Sequence, residues 1–291
     1  MADQAIINEV GLRDGLQNQP VTVDTDTKAR LARLLVDAGM RYLEPVSFVS
    51  PKAIPQMADA AALTPLLPQG DHLHYTALIP NLKGYQLAKE AGYPTVALVL
   101  STTDSFNERN LRMSLEQAAQ SCEAIIAAAR KDGIATRTYI SGAFACPYDG
   151  PVPESLPRQL AERMFAAGSD EVAIADTIGA GNPQQMKAIM TPLIRDFGAE
   201  RFYVHLHDTR GLAAAMAWEA ADLGVRKFDA SVGGQIEIHA GGDEIGRGGT
   251  AERCGKAKFH QEGAVDEGSA AGSGPVEGGE VDMCHDPCPV V

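Results

Sequence analysis

Two histidines, His205 and His207, stand two residues apart in a predicted strand. The stretch from residue 203 to residue 209 reads YVHLHDT, with apolar and polar positions alternating. Side chains two apart on a strand point to the same face, so both imidazoles project together. A divalent metal ion is a common partner for paired imidazoles. The sequence therefore makes this stretch a candidate metal-binding strand.

Strand-like apolar runs alternate with helical patterns along most of the chain. Eight strands are predicted, at residues 6–10, 42–46, 72–78, 95–100, 135–140, 171–175, 202–206 and 227–231. Helices are predicted between them, at residues 24–38, 55–62, 82–91, 114–131, 154–167, 212–223 and from Pro183 onward, where Asn182 is the N-cap. Residues 104–109 are predicted to form a rim loop, and Trp218 is expected to pack on the seventh outer helix.

This alternation predicts a parallel sheet with crossover helices. Eight units in roughly 230 residues favour a TIM (β/α)₈ barrel. A doubly wound open sheet is the alternative, and it is disfavoured because no GxGxxG motif follows the first strand. In a TIM barrel the catalytic groups lie at the carboxyl ends of the strands. Seven polar residues fall at or just beyond such ends: Arg13, Asp14, Glu44, Ser47, Asp176, His205 and His207.

Composition restricts the possible partners and the compartment. The formal net charge is -13, which argues against nucleic acid or an anionic membrane as the main partner. A small anionic substrate is compatible with this charge, because it needs only local positive groups. No signal-peptide pattern or membrane span is visible, and the five cysteines do not form a disulfide framework. We therefore expect a reduced, cytoplasmic protein.

Five segments resemble one known family. The opening NEVGLRDGLQN, at residues 8–18, resembles the 3-hydroxy-3-methylglutaryl-CoA lyases, which are metal-dependent TIM-barrel enzymes. Four further segments are similar to the same family: EPVSFVSPKAIPQMAD at 44–59, SGAFACPYDG at 141–150, DTIG at 176–179 and VHLHDTRG at 204–211. The resemblance covers about residues 5–234. It implies a pyruvate carboxyltransferase-like catalytic TIM barrel at residues 1–234.

The resemblance also implies roles for individual residues. The implied metal ligands are Asp14, His205 and His207. The implied catalytic residues are Arg13, Glu44, Asp176 and His205. The implied contacts to the acyl-CoA substrate are Arg13, Gln17 and Ser47. One carboxylate and two imidazoles suit Mg²⁺ or Mn²⁺, although imidazole also suits Zn²⁺. A homodimer is the expected assembly.

The reaction implied by the resemblance is a retro-Claisen cleavage of 3-hydroxy-3-methylglutaryl-CoA to acetoacetate and acetyl-CoA, a step of leucine breakdown and ketone-body formation. The metal would acidify the C3 hydroxyl of the substrate. Cleavage of the C2–C3 bond then leaves a thioester enolate, whose negative oxygen needs a fixed cation. Arg13 suits this role, because a guanidinium stays charged and offers several donors.

The resemblance ends abruptly after Gly234. The family's Gly-rich loop with a cysteine, and the following asparagine that completes the metal ligands, have no counterpart here. From residue 236 onward the chain holds 11 acidic and 4 basic residues without apolar periodicity. We therefore predict a disordered tail at 235–291. The barrel is expected to lack a normal final helix and to leave an open, apolar edge between its last and first strands.

The abrupt change leads to the hypothesis of a reading-frame shift in the gene. Translation of the coding DNA past Gly234 in the other two frames tests it, and the absence of a cysteine loop and helix from both frames would contradict it. Two alternatives to the lyase follow. One is another metal-dependent aldolase or acyl-CoA condensing enzyme of the same group. The other is a catalytically weak remnant that binds metal and CoA without turnover.

Overall fold

Eight parallel strands form a closed barrel in this computed structural model, which describes residues 4–233. The barrel strands are β1 (Ile6–Glu9), β2 (Tyr42–Ser47), β3 (His74–Ile79), β4 (Thr95–Ser101), β5 (Ala135–Ser141), β8 (Glu171–Asp176), β9 (Phe202–Leu206) and β10 (Lys227–Ala230). A two-stranded antiparallel ribbon, β6 (Ala145–Cys146) and β7 (Gly150–Pro151), follows β5. The prediction of a TIM barrel is confirmed.

Helices connect the strands and cover the outside of the barrel. They are α1 (Thr25–Asp37), α2 (Ala60–Leu63), α3 (Leu82–Glu90), α4 (Asp104–Leu111), α5 (Leu115–Asp132), α6 (Ser155–Ala167), α7 (Pro183–Phe197) and α8 (Ala213–Asp222). Shorter helical turns lie at Gly11–Gly15, Pro55–Met57, Thr64–Leu66 and Ala199–Arg201. Within residues 4–233 no helix follows β10, and the predicted tail at 235–291 lies outside the described residues.

Two apolar layers lie on opposite faces of the strands. The larger core fills the space between barrel and helices, and it includes Leu98, Ile140 and Val204. The smaller one lines the barrel interior, with Leu78, Ala97, Val99, Tyr139, Ala173, Ala175 and Tyr203. Alternation along each strand produces both layers, because neighbouring side chains point to opposite faces.

The expected open edge of the sheet is wrong, because β1 and β10 pair in parallel over four residues, from Ile6–Lys227 to Glu9–Ala230. Backbone groups at this seam are thus hydrogen-bonded as elsewhere in the barrel. Apolar side chains remain uncovered outside the seam, where Ile7 is 37% exposed and Trp218 is 77% exposed. The expectation that Trp218 packs on its helix is also wrong.

Residues 104–109 form part of α4 rather than the predicted loop. Thr103 caps this helix by accepting a hydrogen bond from the amide of Phe106 at 3.3 Å. Phe106 is buried against Cys146 and Val152, and this contact holds the helix against the β6–β7 ribbon. A single buried aromatic on a polar octapeptide gives a weak helical pattern. The sequence therefore indicates a loop where the structure has a helix.

Candidate active site

The two histidines project from one face of β9 and its extension. Phe202, Val204 and Leu206 belong to the outer core, so the alternate positions face the barrel interior. His205 and His207 occupy such positions and are both buried. Their Nε2 atoms lie 3.2 Å apart. The expectation that both imidazoles share a face is confirmed.

Asp14 approaches the histidines from a short helical turn after β1. The amides of Arg13 and Asp14 both donate to the carbonyl of Val10, at 3.1 and 2.7 Å, which fixes the turn. A Cβ at Gly11 would lie 2.6 Å from Glu9 Oε1, so a larger residue there would displace the Glu9 carboxylate that accepts from the Gly11 amide. The turn aims Asp14 Oδ2 at the imidazoles, 3.7 Å from His205 Nε2 and 3.9 Å from His207 Nε2.

These three side chains fit a divalent metal ion. Among the described residues, Asp14, His205 and His207 are the group of acidic, histidine and cysteine side chains whose ligand atoms converge, all within 4.8 Å of one another. A point about 2.1 Å from all three atoms lies between them, which matches the bond lengths of Mg²⁺ and Zn²⁺. One carboxylate and two imidazoles are common ligands of such ions.

Arg13 bridges the metal cluster and Glu44. Its Nε donates to Glu44 Oε1 at 2.7 Å, and its Nη1 donates to Asp14 Oδ1 at 2.6 Å. Burial acts to lower the pKa of Arg13, but the two carboxylates outweigh it and raise the pKa above its usual value. Burial acts to raise the pKa of Asp14, but Arg13 and the histidines lower it below its usual value. Arg13 is therefore a permanent cation, and Asp14 is ionised for metal binding.

Glu44 lies inside the barrel on β2 and uses both carboxylate oxygens. Oε1 accepts from Arg13, and Oε2 lies 3.0 Å from the hydroxyl oxygen of Tyr139. Burial raises the pKa of Glu44, and the charge of Arg13 opposes this shift. Glu44 therefore anchors Arg13 and holds a carboxylate of raised proton affinity next to it.

Asp229 was missed by the sequence reasoning, although it lies at the centre of the site. Its Oδ2 is 3.1 Å from His205 Nδ1 and accepts from the Tyr139 hydroxyl at 2.6 Å. Its Oδ1 accepts from Asn8 Nδ2 at 2.8 Å. A buried acid at an inward position of the last strand is a signal that could have found it, since such acids need partners.

Asp176 lies on the other face of its strand. It pairs in register with Leu206, an outer-core residue, whereas Ala175 pairs with His205. The carboxylate accepts from the amides of Ala180 and Gly181 at 2.9 and 2.8 Å. Burial raises the pKa of Asp176, and these amides oppose the shift. The structure therefore brings together Arg13, Asp14, Glu44, His205 and His207. Asp176 organises its own loop instead.

Two predicted substrate contacts are buried with unpaired polar atoms. Ser47 Oγ and Gln17 Oε1 have no hydrogen-bond partner within the described part of the chain. Ser47 pairs in register with Leu78, which lines the cavity above the metal cluster. A buried unpaired polar atom costs roughly 1–3 kcal/mol, so both atoms are candidates for ligand contacts.

A cavity opens at the carboxyl rim of the barrel, directly over these groups. It is lined by Arg13, Asp14, Leu78, Val99, Tyr139, Ser141, Ala175, Thr177, His205 and His207. Seven of these ten residues are polar or charged, and Leu78, Val99 and Ala175 are apolar. No helix within residues 4–233 is long and apolar enough to cross a membrane.

Fold and site together define a TIM-barrel protein with a candidate divalent-metal centre and a buried arginine at the catalytic rim. Residues 4–247 match the family model described as HMGL-like, which extends past Gly234, where the recognised motifs end. The chain belongs to this family, whose members depend on a divalent metal ion.

Curated relatives carry the name of one enzyme. The mitochondrial hydroxymethylglutaryl-CoA lyase of Bos taurus is 37% identical over 231 residues, which is 79% of this chain and 71% of the relative. The hydroxymethylglutaryl-CoA lyase YngG of Bacillus subtilis is 36% identical over 228 residues, 78% of this chain and 76% of the relative. The relatives include cytoplasmic as well as mitochondrial proteins.

Solved structures agree. The HMG-CoA lyase of Brucella melitensis is 36% identical with a TM-score of 0.78, covering 80% of this chain and 83% of the other. An HMG-CoA lyase of Acinetobacter baumannii, in complex with coenzyme A and 3-methylmalate, is 34% identical with a TM-score of 0.77. The match covers 81% of this chain and 78% of the other. The fold is shared with the carboxyl transferase domain of Rhizobium etli pyruvate carboxylase, which is 20% identical with a TM-score of 0.61. This match covers 79% of this chain and 40% of the other.

Proposed function

We propose that this chain is a hydroxymethylglutaryl-CoA lyase, which cleaves 3-hydroxy-3-methylglutaryl-CoA to acetoacetate and acetyl-CoA in leucine breakdown. The observation that carries the proposal is the position of Arg13, buried between Glu44 and the candidate metal ligand Asp14. It places a permanent positive charge beside a metal site in a protein of the lyase family. A cleavage that leaves an enolate needs this combination.

Asp14, His205 and His207 hold Mg²⁺ or Mn²⁺ in this proposal. The fit of their three ligand atoms to one ion supports it. The bound ion supplies positive charge that polarises the substrate hydroxyl and favours loss of its proton. Oxygen-rich substrates suit Mg²⁺ and Mn²⁺, because both ions accept carboxylate and hydroxyl oxygens readily.

Arg13 stabilises the negative oxygen that develops on the thioester when the C2–C3 bond breaks. The guanidinium is fixed by two carboxylates before substrate arrives, so it does not have to reorganise during the reaction. Its charge is retained at any working pH. The electron pair of the broken bond moves into the thioester, and a proton must later reach the C2 carbon to give acetyl-CoA.

Proton transfer is assigned to the cluster around Glu44 and His205. Glu44 has a raised pKa, and His205 is held next to Asp14 inside the cavity. We propose that Asp176 supports catalysis through its loop rather than by proton transfer. Its carboxylate is engaged by two loop amides and faces the outer core.

Gln17 and Ser47 are proposed to contact the acyl-CoA substrate together with Arg13. Their buried polar atoms lack partners in the described residues, and a substrate carbonyl, hydroxyl or carboxylate could satisfy them. The relative solved with coenzyme A and 3-methylmalate supports an acyl-CoA as the class of substrate.

The test is release of acetoacetate from 3-hydroxy-3-methylglutaryl-CoA by the full chain, with Mg²⁺ or Mn²⁺ titrated. We expect metal-dependent release and a loss of at least roughly 100-fold in His207→Ala, since a direct ligand should matter at least as much as an outer partner. His72→Ala is the matched control, because His72 is exposed.

Two results contradict the proposal. Metal binding without acetoacetate release identifies a catalytically weak remnant. Consumption of a 2-oxoacid with acetyl-CoA, in place of cleavage, identifies a condensing enzyme of the same barrel group.

A homodimer and a cytoplasmic location complete the proposal. The exposed apolar Trp218 and Ile7 support self-association. The two described cysteines, Cys122 and Cys146, are buried and unpaired, which is compatible with a reducing compartment. Light scattering after size exclusion tests the dimer, and cell fractionation tests the location.

A further inference from the structure

Asp229 is held from three strands beneath the metal cluster. Asn8 on β1 donates to its Oδ1 at 2.8 Å, and Tyr139 on β5 donates to its Oδ2 at 2.6 Å. Arg137 Nη1 lies 3.9 Å from Oδ1 and adds positive charge from below. The side chain is fully buried. Both oxygens are thus fixed in position before any metal or substrate binds.

The second partner of Asp229 Oδ2 is His205 Nδ1, at 3.1 Å. An ionised carboxylate only accepts hydrogen bonds, so this contact places the proton of a neutral His205 on Nδ1. His205 Nε2 then carries a free lone pair. That atom faces His207 Nε2 at 3.2 Å and Asp14 Oδ2 at 3.7 Å, where the ion would bind.

A ring of side-chain contacts also links Asp229 to the opposite side of the cluster. The Tyr139 hydroxyl donates to Asp229 Oδ2 at 2.6 Å, and its oxygen lies 3.0 Å from Glu44 Oε2. Glu44 in turn accepts from Arg13, and Arg13 donates to Asp14. Asp14 in turn lies opposite His205. The position of one metal ligand is therefore coupled to that of the other through buried hydrogen bonds.

We infer that Asp229 is a positioning residue for the metal centre, which fixes His205 in the Nδ1–H tautomer and aims its Nε2 at the ion. Outer carboxylates that orient a ligating histidine commonly change metal affinity by about 10- to 100-fold. The inference rests on the metal site of the proposed function, but it does not depend on the substrate or on the reaction.

The test is Asp229→Asn, which keeps the shape and can still bond Asn8 and Tyr139. An amide that turns its NH₂ toward His205 favours the opposite tautomer and places a proton on Nε2. We expect Mn²⁺ affinity, measured by calorimetry without substrate, to fall about 10- to 100-fold. Asp222→Asn is the matched control, because Asp222 is exposed at the end of α8, and it should leave the affinity unchanged.

A second measurement reports the tautomer itself. In metal-free protein labelled with ¹⁵N-histidine, the ring nitrogens of His205, assigned with His205→Gln, should show Nδ1–H in the wild type at alkaline pH. They should show Nε2–H in Asp229→Asn. A general loss of packing would lower thermal stability without exchanging the protonated nitrogen, so this readout separates positioning from a structural role.

Two outcomes overturn the inference. One is unchanged Mn²⁺ affinity together with an unchanged His205 tautomer in Asp229→Asn. The other is an Nε2–H tautomer in the wild type, which decides the matter even if the variant does not fold. Failure of the proposed function is distinct: Mn²⁺ binding that weakens in Asp229→Asn, without acetoacetate release by the wild type, leaves the positioning role in place.

Discussion

At the scale of single residues, the fork of Arg13 explains why an arginine occupies this position. Its Nε reaches Glu44 on β2 at 2.7 Å, and its Nη1 reaches Asp14 in the turn after β1 at 2.6 Å. A lysine carries the same charge on one nitrogen and cannot reproduce the planar fork. The site therefore depends on the shape of the cation as well as on its charge.

Arg13→Lys is expected to lower kcat by about 100-fold or more, because the charge no longer lies where the enolate oxygen develops. KM should change less than kcat, since the other two proposed substrate contacts, Gln17 and Ser47, stay in place. Steady-state kinetics with saturating Mn²⁺ measure both constants. Arg30→Lys, on the exposed side of α1, is the control. Near-normal kcat in Arg13→Lys would contradict the role assigned to Arg13.

The sequence predicts the histidine pair well, because the shared face follows from strand alternation alone. Asp229 and Tyr139 are harder, because their contacts with His205 and Glu44 join strands far apart in sequence. Asp176 shows a further limit: a shift of one residue along a strand reverses the face. Its neighbour Ala175 faces the barrel, so the acid itself faces the helices.

At the scale of elements, the loop after β8 supports the end of β9. Gly179 has φ of +57°, and a Cβ there would lie 2.7 Å from the carbonyl oxygen of His207 and 2.9 Å from the amide of Thr209. Arg210 donates to the Gly179 carbonyl at 3.1 Å and holds the loop in place. The backbone of a metal ligand therefore rests directly on this glycine.

Gly179→Ala should lower the free energy of unfolding by about 1–2 kcal/mol for the left-handed conformation alone, with an added cost for the displaced His207 backbone. Mn²⁺ affinity should fall about 10-fold, as for other changes around metal ligands. Urea unfolding and calorimetry measure the two effects.

Gly133→Ala is the matched control for this glycine. Gly133 also has a positive φ, of +72°, but its Cβ would meet nothing within 4 Å. The Gly133→Ala variant should lose a similar free energy of unfolding, because alanine is strained in the left-handed conformation, and it should keep its metal affinity. Equal metal affinities in the two variants would show that the loop does not position His207.

Asp24 at the start of α1 makes stability depend on pH. Its carboxylate accepts from the backbone amide of Thr27 at 2.9 Å and from the Thr27 hydroxyl at 2.8 Å, and both bonds lower its pKa. The contribution is present above the pKa of the unfolded chain and is lost as pH falls through the lower pKa of the folded protein.

Asp24→Ser keeps a capping oxygen without a charge. The wild type and this variant should therefore converge in their urea midpoints only as pH falls below the ordinary carboxyl pKa of 3.8 and through the lower pKa of folded Asp24, and above about pH 5 the wild type should be the more stable. Asp26→Ser, in the first turn of the same helix and exposed, is the control. A constant difference between wild type and Asp24→Ser across this pH range would contradict the assignment.

At the scale of the whole molecule, the barrel could be predicted because eight apolar strands alternate with amphipathic helices. Its closure could not, because the pairing of β1 with β10 is a contact between the two ends of the described chain. The absence of a described helix after β10 leaves the outer face of this seam apolar, with Ile7, Phe228 and Trp218 around one groove.

This groove predicts self-association through Trp218, the single tryptophan of the chain. Trp218→Gln should change the free energy of unfolding by less than about 0.5 kcal/mol, as is usual for exposed positions. It should also lower the mass measured by light scattering, because exposed apolar patches drive association. Trp218→Phe keeps an apolar surface and should associate like the wild type. If Trp218→Gln associates as strongly as Trp218→Phe, the contact between copies lies elsewhere on the barrel.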